Sequence, residues 1–593
     1  MAKLTSAGID AQSTAKTDAL PAVPGGAEQL PGRVTVLIQQ LGDPSYLVRQ
    51  SAQNELGRIG PEAFDALSAA ENDTDVEISS RAKYLVQQIR AQWIHTSDSP
   101  QVRRILDKYE LLDDSARLQA LRQLAFLPGD LGLAPLCRLI RFERSPLVSK
   151  YSALLVIGQP DAVARSWPAK QKTIEANLAQ NNGPGAQWLR TYVRFQNDPQ
   201  SAKADVDKLV NAELAGLAPF ANDAVRKNTL ELEALLVNVL KQNFQRPDRA
   251  TDVLQQLLSL GTNDPDAVAK LADLLVQHQA WDLVDQLARR AEATFNVDPA
   301  LLYTWAHALR AEGKTDAADK ISDKAFKLIG NSLEDHKTIG TKLQRLGLFD
   351  AAEREYQHVI KTSPQDTELT IETQARFGEM LHDQDLDLQA AQVVKKLIDA
   401  MDKDPTVLQR TKEFGGDTYP DTMRGQMHLY YACSYAGENK PDERRRELDE
   451  GAKYDPTNAD ILIGLYETSV DNPARRKQAM DLIHVADKGF REAIAQQPTT
   501  SIPYNMDAWL IGNTEGDFDL AIQYSQNSLE LLKNQPEELQ INEPGFLDTL
   551  AHCYAGKRDF RNAVKFQARA AELDPHTMQI ARALKQFKQQ LDQ

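Results

Sequence analysis

Two short stretches of this chain hold residue types that could do chemistry. Gly313-Lys314-Thr315 reads like the close of a phosphate-binding loop, where backbone N–H groups cradle the phosphates and a lysine reaches their charge. That loop needs another glycine five residues earlier; Ala308 stands there, inside a helical pattern with no strand before it. The stretch therefore reads as a turn between helices. Asp383, Asp385 and Asp387 have the alternate spacing of a calcium loop, which also needs a glycine at its sixth position and a bidentate glutamate at its twelfth. Leu388 and Val394 occupy those places, so the aspartates read as a solvated acidic turn.

The rest of the inventory points away from catalysis. The ten histidines form no H-E-x-x-H pair and no G-x-S-x-G stretch occurs, so the zinc-hydrolase and nucleophile-elbow geometries are missing. His307, His428 and His552 read as packing or surface residues. Cys137, Cys433 and Cys553 are too far apart for a disulfide framework or a zinc pattern. Cys433 and Cys553, inside helical patterns, read as small packing residues. The expectation is a protein without catalytic residues, metal or cofactor.

The elements that carry these residues are helices, and they repeat. Ala250, Val284, Ala318 and Ala352 are each 34 residues apart. In the unit from Pro299, Leu302, Trp305, Ala306 and Leu309 share one face of a first helix. Gly313 ends it, and Ala318, Ala325 and Leu328 mark a second. The next unit repeats the scheme with Ile339, Gly340, Leu343, Gly347, Ala352, Tyr356 and Val359 before Pro364. Ala306 and Gly340 stand where a larger side chain would push two helices apart. Near the C-terminus Leu547, Leu550, Ala551, Tyr554, Gly556, Ala563, Ala570 and Pro575 repeat the pattern, and Trp509, Gly512, Gly516 and Ala521 form the unit before it. A looser unit contains Ala432, Tyr435 and Pro456, with Arg444 where a small residue is usual. These residues and their period resemble the tetratricopeptide (TPR) family.

A different repeat fills the N-terminal part. Asp43, Val48, Arg49, Ala52, Leu56 and Ile59 return 30 residues later as Asp73, Ile78, Ser79, Ala82, Val86 and Ile89. Ala116, Arg117, Ala120 and Leu124, then Val148, Ser152 and Val156, read as further copies. This part resembles the short HEAT repeats of phycobilisome-lyase-type proteins, with Arg49 as the usual basic residue and Ser79 a departure. The fold class is therefore expected to be all-α, an α-solenoid with a HEAT-like array followed by a TPR superhelix. Its divisions are a disordered tail (1–32), HEAT-like repeats (33–160), a transitional helical segment (161–241), a TPR array (242–400), degenerate TPR-like helices (401–504) with a loop insert near 413–421, and C-terminal TPR units with a capping helix (505–593). In the transitional segment Trp188, Leu189, Tyr192 and Val193 form one apolar helix face.

The TPR resemblance implies a groove built from first helices that holds peptides or helices. Tyr303, His307, Arg310, Lys337, Thr341 and Arg345 fall at its open positions, a basic and aromatic set suited to an acidic or mixed peptide. The lysines and asparagines with which one TPR subclass clamps a terminal carboxylate are missing: Ala269 and Asp273, Tyr303 and His307, Lys337 and Thr341 stand there. Phe414, Asp417, Tyr419 and Asp421, in the break between repeats, form a second candidate as a binding loop, because insertions in solenoids gather on the working face.

Composition agrees with a protein partner. The formal net charge of −16 over 593 residues repels phosphate backbones, so no nucleic acid is expected. The longest apolar runs are too short to span a bilayer. The chain reads as a non-catalytic interaction scaffold, with a subunit of a larger bacterial complex as the alternative and a HEAT-type lyase or other enzyme as a third reading. Oligomeric state stays open. No secretion signal is visible, so a cytoplasmic location is expected, or an exported one if a leader has been removed.

Overall fold

The computed structural model describes residues 30–88, 93–159, 167–217, 222–260, 264–533, 535 and 542–593. The described residues form helices and turns with no strand, and none of these helices is long and apolar enough to cross a membrane. The tail expected to be disordered lies outside them as far as residue 29; Leu30–Gln40 is helical. Two compact units divide the chain, Met1–Gln92 with Ala179–Asn182, and Trp93–Leu178 with Gly183–Gln593.

In the first unit, Leu30–Gln40, Tyr46–Ile59, Phe64–Ala70 and Val76–Gln88 pack around Leu37, Leu41, Leu56, Leu67 and Leu85. The 30-residue repeat is physical. Asp43 and Asp73 accept the N–H of Ser45 and Asp75 at 2.7 and 2.9 Å, opening equivalent turns. Ala52 and Ala82 are both buried at the helix contacts. Arg49 donates to the carbonyl of Asp43 at 2.7 Å, and Ser79 to that of Glu71 at 2.7 Å. The residue differs, yet each ties its helix back to the segment before it.

In the second unit one apolar core runs from Val102 to Ala308. It crosses positions 160 and 241, where the sequence reading divides the chain. Phe244 meets Trp188, Tyr192 and Phe195 at ring distances of 6.1, 5.8 and 5.2 Å, so the segment read as transitional packs into the same core.

The TPR period has a second signature, in the backbone. Gln245, Gln279, Gly313 and Gly347, again 34 residues apart, all have positive φ, from 52° to 78°. After the last three, the next residue's N–H reaches five residues back: Ala280 to Leu275, Lys314 to Leu309 and Leu348 to Leu343, at 2.8–2.9 Å. This is the Schellman closure of a helix C-terminus. It recurs after Asp385, Asn439 and Arg558, the first two in units whose sequence match is looser. Helix starts repeat as well: Asp264, Asp298 and Asp404 cap helices whose first residue is proline. At the crossings Ala250, Val284, Ala318 and Ala352 are fully buried. A Cβ on Gly340 would lie 2.8 Å from the Tyr356 ring.

The expected loop insert is corrected. Pro405–Gly415 and Tyr419–Gly437 are helices, so a three-residue turn separates them. Gly416, at φ 91°, reverses the chain, and Pro420 sits in the first turn of the next helix. Phe414 and Tyr419 meet edge to face at 5.5 Å across the two helices; of the four candidate residues, Asp417 and Asp421 are the exposed ones, with Asp421 paired to Arg424 at 3.0 Å.

The two ends of the second unit touch. Arg561 forks onto both oxygens of Asp130 at 2.6 and 2.7 Å. The Gly129 N–H donates to Asn562 at 2.8 Å, and Lys565 donates to the carbonyls of Leu127 and Gly129. Asn238 donates to Glu572 at 3.3 Å, and His576 packs on Phe349 at 5.9 Å.

Candidate functional site

The C-terminal helices lie opposite the middle repeats and border an open cavity of about 1510 Å³. Its walls come from Glu368–Asp383, Asp387–Lys403, Tyr419–Gly437, Ala459–Glu467, Ser501–Gly512, Glu543–Gly556 and Met578–Leu591. Glu379, Asp383, Asp385, Asp387, Asp460, Glu467, Asp548 and Asp574 line it, against two arginines. Both arginines are matched: Arg444 pairs with Glu467 at 2.7 Å and Arg582 with Asp385 at 2.9 Å. An excess of negative charge is left in a concave, partly dehydrated space, where each charge acts over a longer range than on open surface.

The titrations register that field. Burial, helped by the neighbouring Glu379, pushes the Asp383 carboxyl up to about 7. Burial also raises Asp460, against the Trp509 indole N–H that donates to it at 2.7 Å. Burial pulls His382 down, but its hydrogen bond and charge interaction with Asp387 outweigh this and hold the imidazole above its ordinary value. His552 is lowered by burial despite Asp548; it bonds Asn513 at 2.6 Å and packs against the Trp509 ring at 4.8 Å. The acidic turn is thus not a solvated connector: Asp383, Asp385 and Asp387 all line the cavity. Among the described residues, His382, Asp387 and Cys433 bring ligand atoms within 4.8 Å of one another and could hold a metal ion.

The residues expected to form a partner groove lie elsewhere. Tyr303 is corrected: its head is not solvated but 1% exposed. Its phenol donates to Glu355 on the next repeat's second helix, and Glu355 also meets His336. Its face of the helix is the one that packs on the following unit. His307 is half-buried against Trp281 at 4.9 Å. Lys337 lies between Glu334 and Glu372, 2.7 Å from each, and Arg310 pairs with Asp319 at 2.6 Å. Thr341 turns its hydroxyl to the Lys337 carbonyl at 3.1 Å. Arg345 is exposed. The basic character expected of this set is largely matched by local carboxylates. No sequence signal marks the cavity, because its walls are drawn from Glu379 to Gln586 and meet only when the unit closes.

Residues 546–577 match the family model described as tetratricopeptide repeat. That span holds most of the Glu543–Gly556 helix, which lines the cavity, and all of Phe560–Leu573; the Met578–Leu591 wall lies beyond it. No curated protein matches the chain. Solved structures with similarity include the C-terminal part of a TPR repeat-containing protein from Cytophaga hutchinsonii, at 15% identity, covering 53% of this chain and 98% of that one with a TM-score of 0.16. The human IFIT1 dimer with PPP-AAAA shows 14% identity, 76% and 96% coverage and a TM-score of 0.20. The APC/C hetero-tetramer Cut9-Hcn1 shows 14% identity, 68% and 89% coverage and a TM-score of 0.17. TM-scores of this size do not establish a shared overall arrangement.

Proposed function

We propose that the second unit is a non-catalytic receptor for a protein partner, and that it takes a cationic segment, a peptide or helix carrying lysines and arginines, in the acidic cavity. The observation that carries this is the carboxylate lining, whose two arginines are already paired. A cationic segment would replace lost hydration with charge-assisted hydrogen bonds to carboxylates fixed on helices. The TPR match to residues 546–577 supports a protein partner in general. The His307, Arg310, Lys337, Thr341 and Arg345 set remains a second surface, for an acidic peptide. A role as assembly subunit would use the same cavity and would differ only in stoichiometry.

The test is fluorescence anisotropy with a labelled lysine- and arginine-rich helical peptide and its glutamate-substituted counterpart, at low and moderate salt. Only the cationic peptide should bind, and salt should weaken it. A Glu379→Lys, Asp460→Asn variant should lose at least tenfold in affinity, about 1.4 kcal/mol. An equally charged control on open surface, Asp282→Lys with Asp316→Asn, should bind like the parent; both control positions are exposed. If the control loses as much as the cavity variant, attraction to net charge explains the binding and the cavity reading is wrong.

A further inference from the structure

We propose that His382, Asp387 and Cys433 form a binding site for a divalent transition ion of the zinc type, in the wall of the acidic cavity. The site stands on its donor set alone and does not depend on the cationic-partner reading. Three helices contribute one donor each. His382 is in the last turn of Glu368–Asp383, Asp387 in the first turn of Asp387–Lys403, and Cys433 in Tyr419–Gly437. The positive-φ turn at Asp385 folds the first two helices back on each other, which brings the His382 Nδ1 to 2.5 Å from Asp387. The imidazole is steadied by the Tyr430 ring, 4.8 Å away.

The geometry suits a small ion. All three donor atoms lie within 4.8 Å of one another. Zinc bonds of about 2.0–2.3 Å at tetrahedral angles place donors about 3.5 Å apart, so small side-chain rotations complete the site. The donors are one imidazole, one carboxylate and one thiol, a mixture that favours zinc or cobalt over the all-oxygen shells of calcium and magnesium. All three residues are half-buried and border the cavity, which supplies an entry path and leaves a fourth position for water. On binding, the Cys433 thiol releases its proton to solvent and the thiolate becomes the ligand, while the proton shared by His382 and Asp387 leaves the ligating atoms, so that a neutral imidazole nitrogen and a carboxylate oxygen face the ion. The other carboxylates around the cavity add to the attraction for a dication. Packing explains a cysteine, and a histidine–aspartate pair explains a turn; the convergence of both at one point of an open cavity is what a ligand set requires.

The test is titration of chelator-treated full-length protein with cobalt(II), followed by absorption. One equivalent should develop a thiolate-to-cobalt charge-transfer band in the near ultraviolet together with intense tetrahedral visible bands, and zinc should displace both. Cys433→Ser should abolish the charge-transfer band, whereas Cys137→Ala and Cys553→Ala should keep it. Asp387→Asn, which leaves the thiol in place, should weaken cobalt binding at least tenfold. Circular dichroism checks that each variant stays helical; if Cys433→Ser unfolds, Asp387→Asn decides. No charge-transfer band at saturating cobalt, a band that survives Cys433→Ser, unweakened binding by Asp387→Asn, or absorption that grows without saturating near one equivalent would each overturn the site.

Discussion

Single residues show how differently burial and charge weigh in this chain. Ala318 is fully buried at a helix crossing, where added volume must displace backbone. Arg444, at the equivalent place in a looser unit, is half-buried at the cavity edge and pairs with Glu467. Ala318→Arg should cost on the order of 1–3 kcal/mol or more, and Arg444→Ala about 0–1 kcal/mol. Equal thermal shifts for the two variants would refute the helix register. Glu233 gives a pH signature. It is fully buried, and burial together with the charge of Glu213 raises its carboxyl, against Lys150. A raised folded-state pKa means that the folded chain keeps a proton the unfolded chain releases. The resulting stability is fully present below the ordinary carboxyl range and is lost as pH climbs toward the raised value. Glu233→Gln should therefore gain on the parent in melting temperature between pH 5 and pH 8. A gap that stays constant across that range sinks the assignment.

Among the elements, the inter-helix turn is the unit of construction. Gly313 and Gly347 advertise it, but Gln245, Gln279, Asp385, Asn439 and Arg558 adopt the same left-handed conformation. A side chain there costs energy that glycine avoids. Gln279 is exposed, so Gln279→Gly should stabilise by about 0.5–1 kcal/mol and Gly313→Ala should destabilise by a similar amount. Chemical denaturation of both variants checks this, and a loss of stability in Gln279→Gly would contradict the shared turn. Turns between helices also explain two misreadings. Asp383 to Asp387 has the composition of a solvated connector, and nothing local says that this turn faces a cavity. Glu413 to Asp421 has the composition of a loop, yet a single positive-φ glycine and a proline suffice to join two helices there.

On the scale of the whole molecule, the second unit depends on the contact between its ends. Asn562 and Lys565 bond the turn at Leu127 to Gly129, and burial lowers the Lys565 ammonium to about 8. An Asn562→Ala, Lys565→Ala double variant should speed amide exchange in both Asp114–Ala125 and Phe560–Leu573, while Pro299–Ala311 keeps its protection. Faster exchange in only one of the first two helices would show that they are not held by each other.

The sequence by itself determined the helices, the 34-residue and 30-residue periods, the small residues at the crossings and the glycine turns. Each of these rests on side chains within one repeat or its neighbour, where spacing along the chain stands for distance in space. Tertiary structure alone decided that Tyr303 faces the next repeat rather than solvent, because first-helix positions differ only by a rotation that packing sets. It alone assembled the cavity and brought His382 and Asp387 to Cys433. The three donors meet through the turn at Asp385 and the packing of neighbouring helices, whereas the far cavity walls meet through the accumulated rotation of many repeats and the closing contacts near Asp130, and a rotation summed over many units leaves no mark at any one position of the sequence.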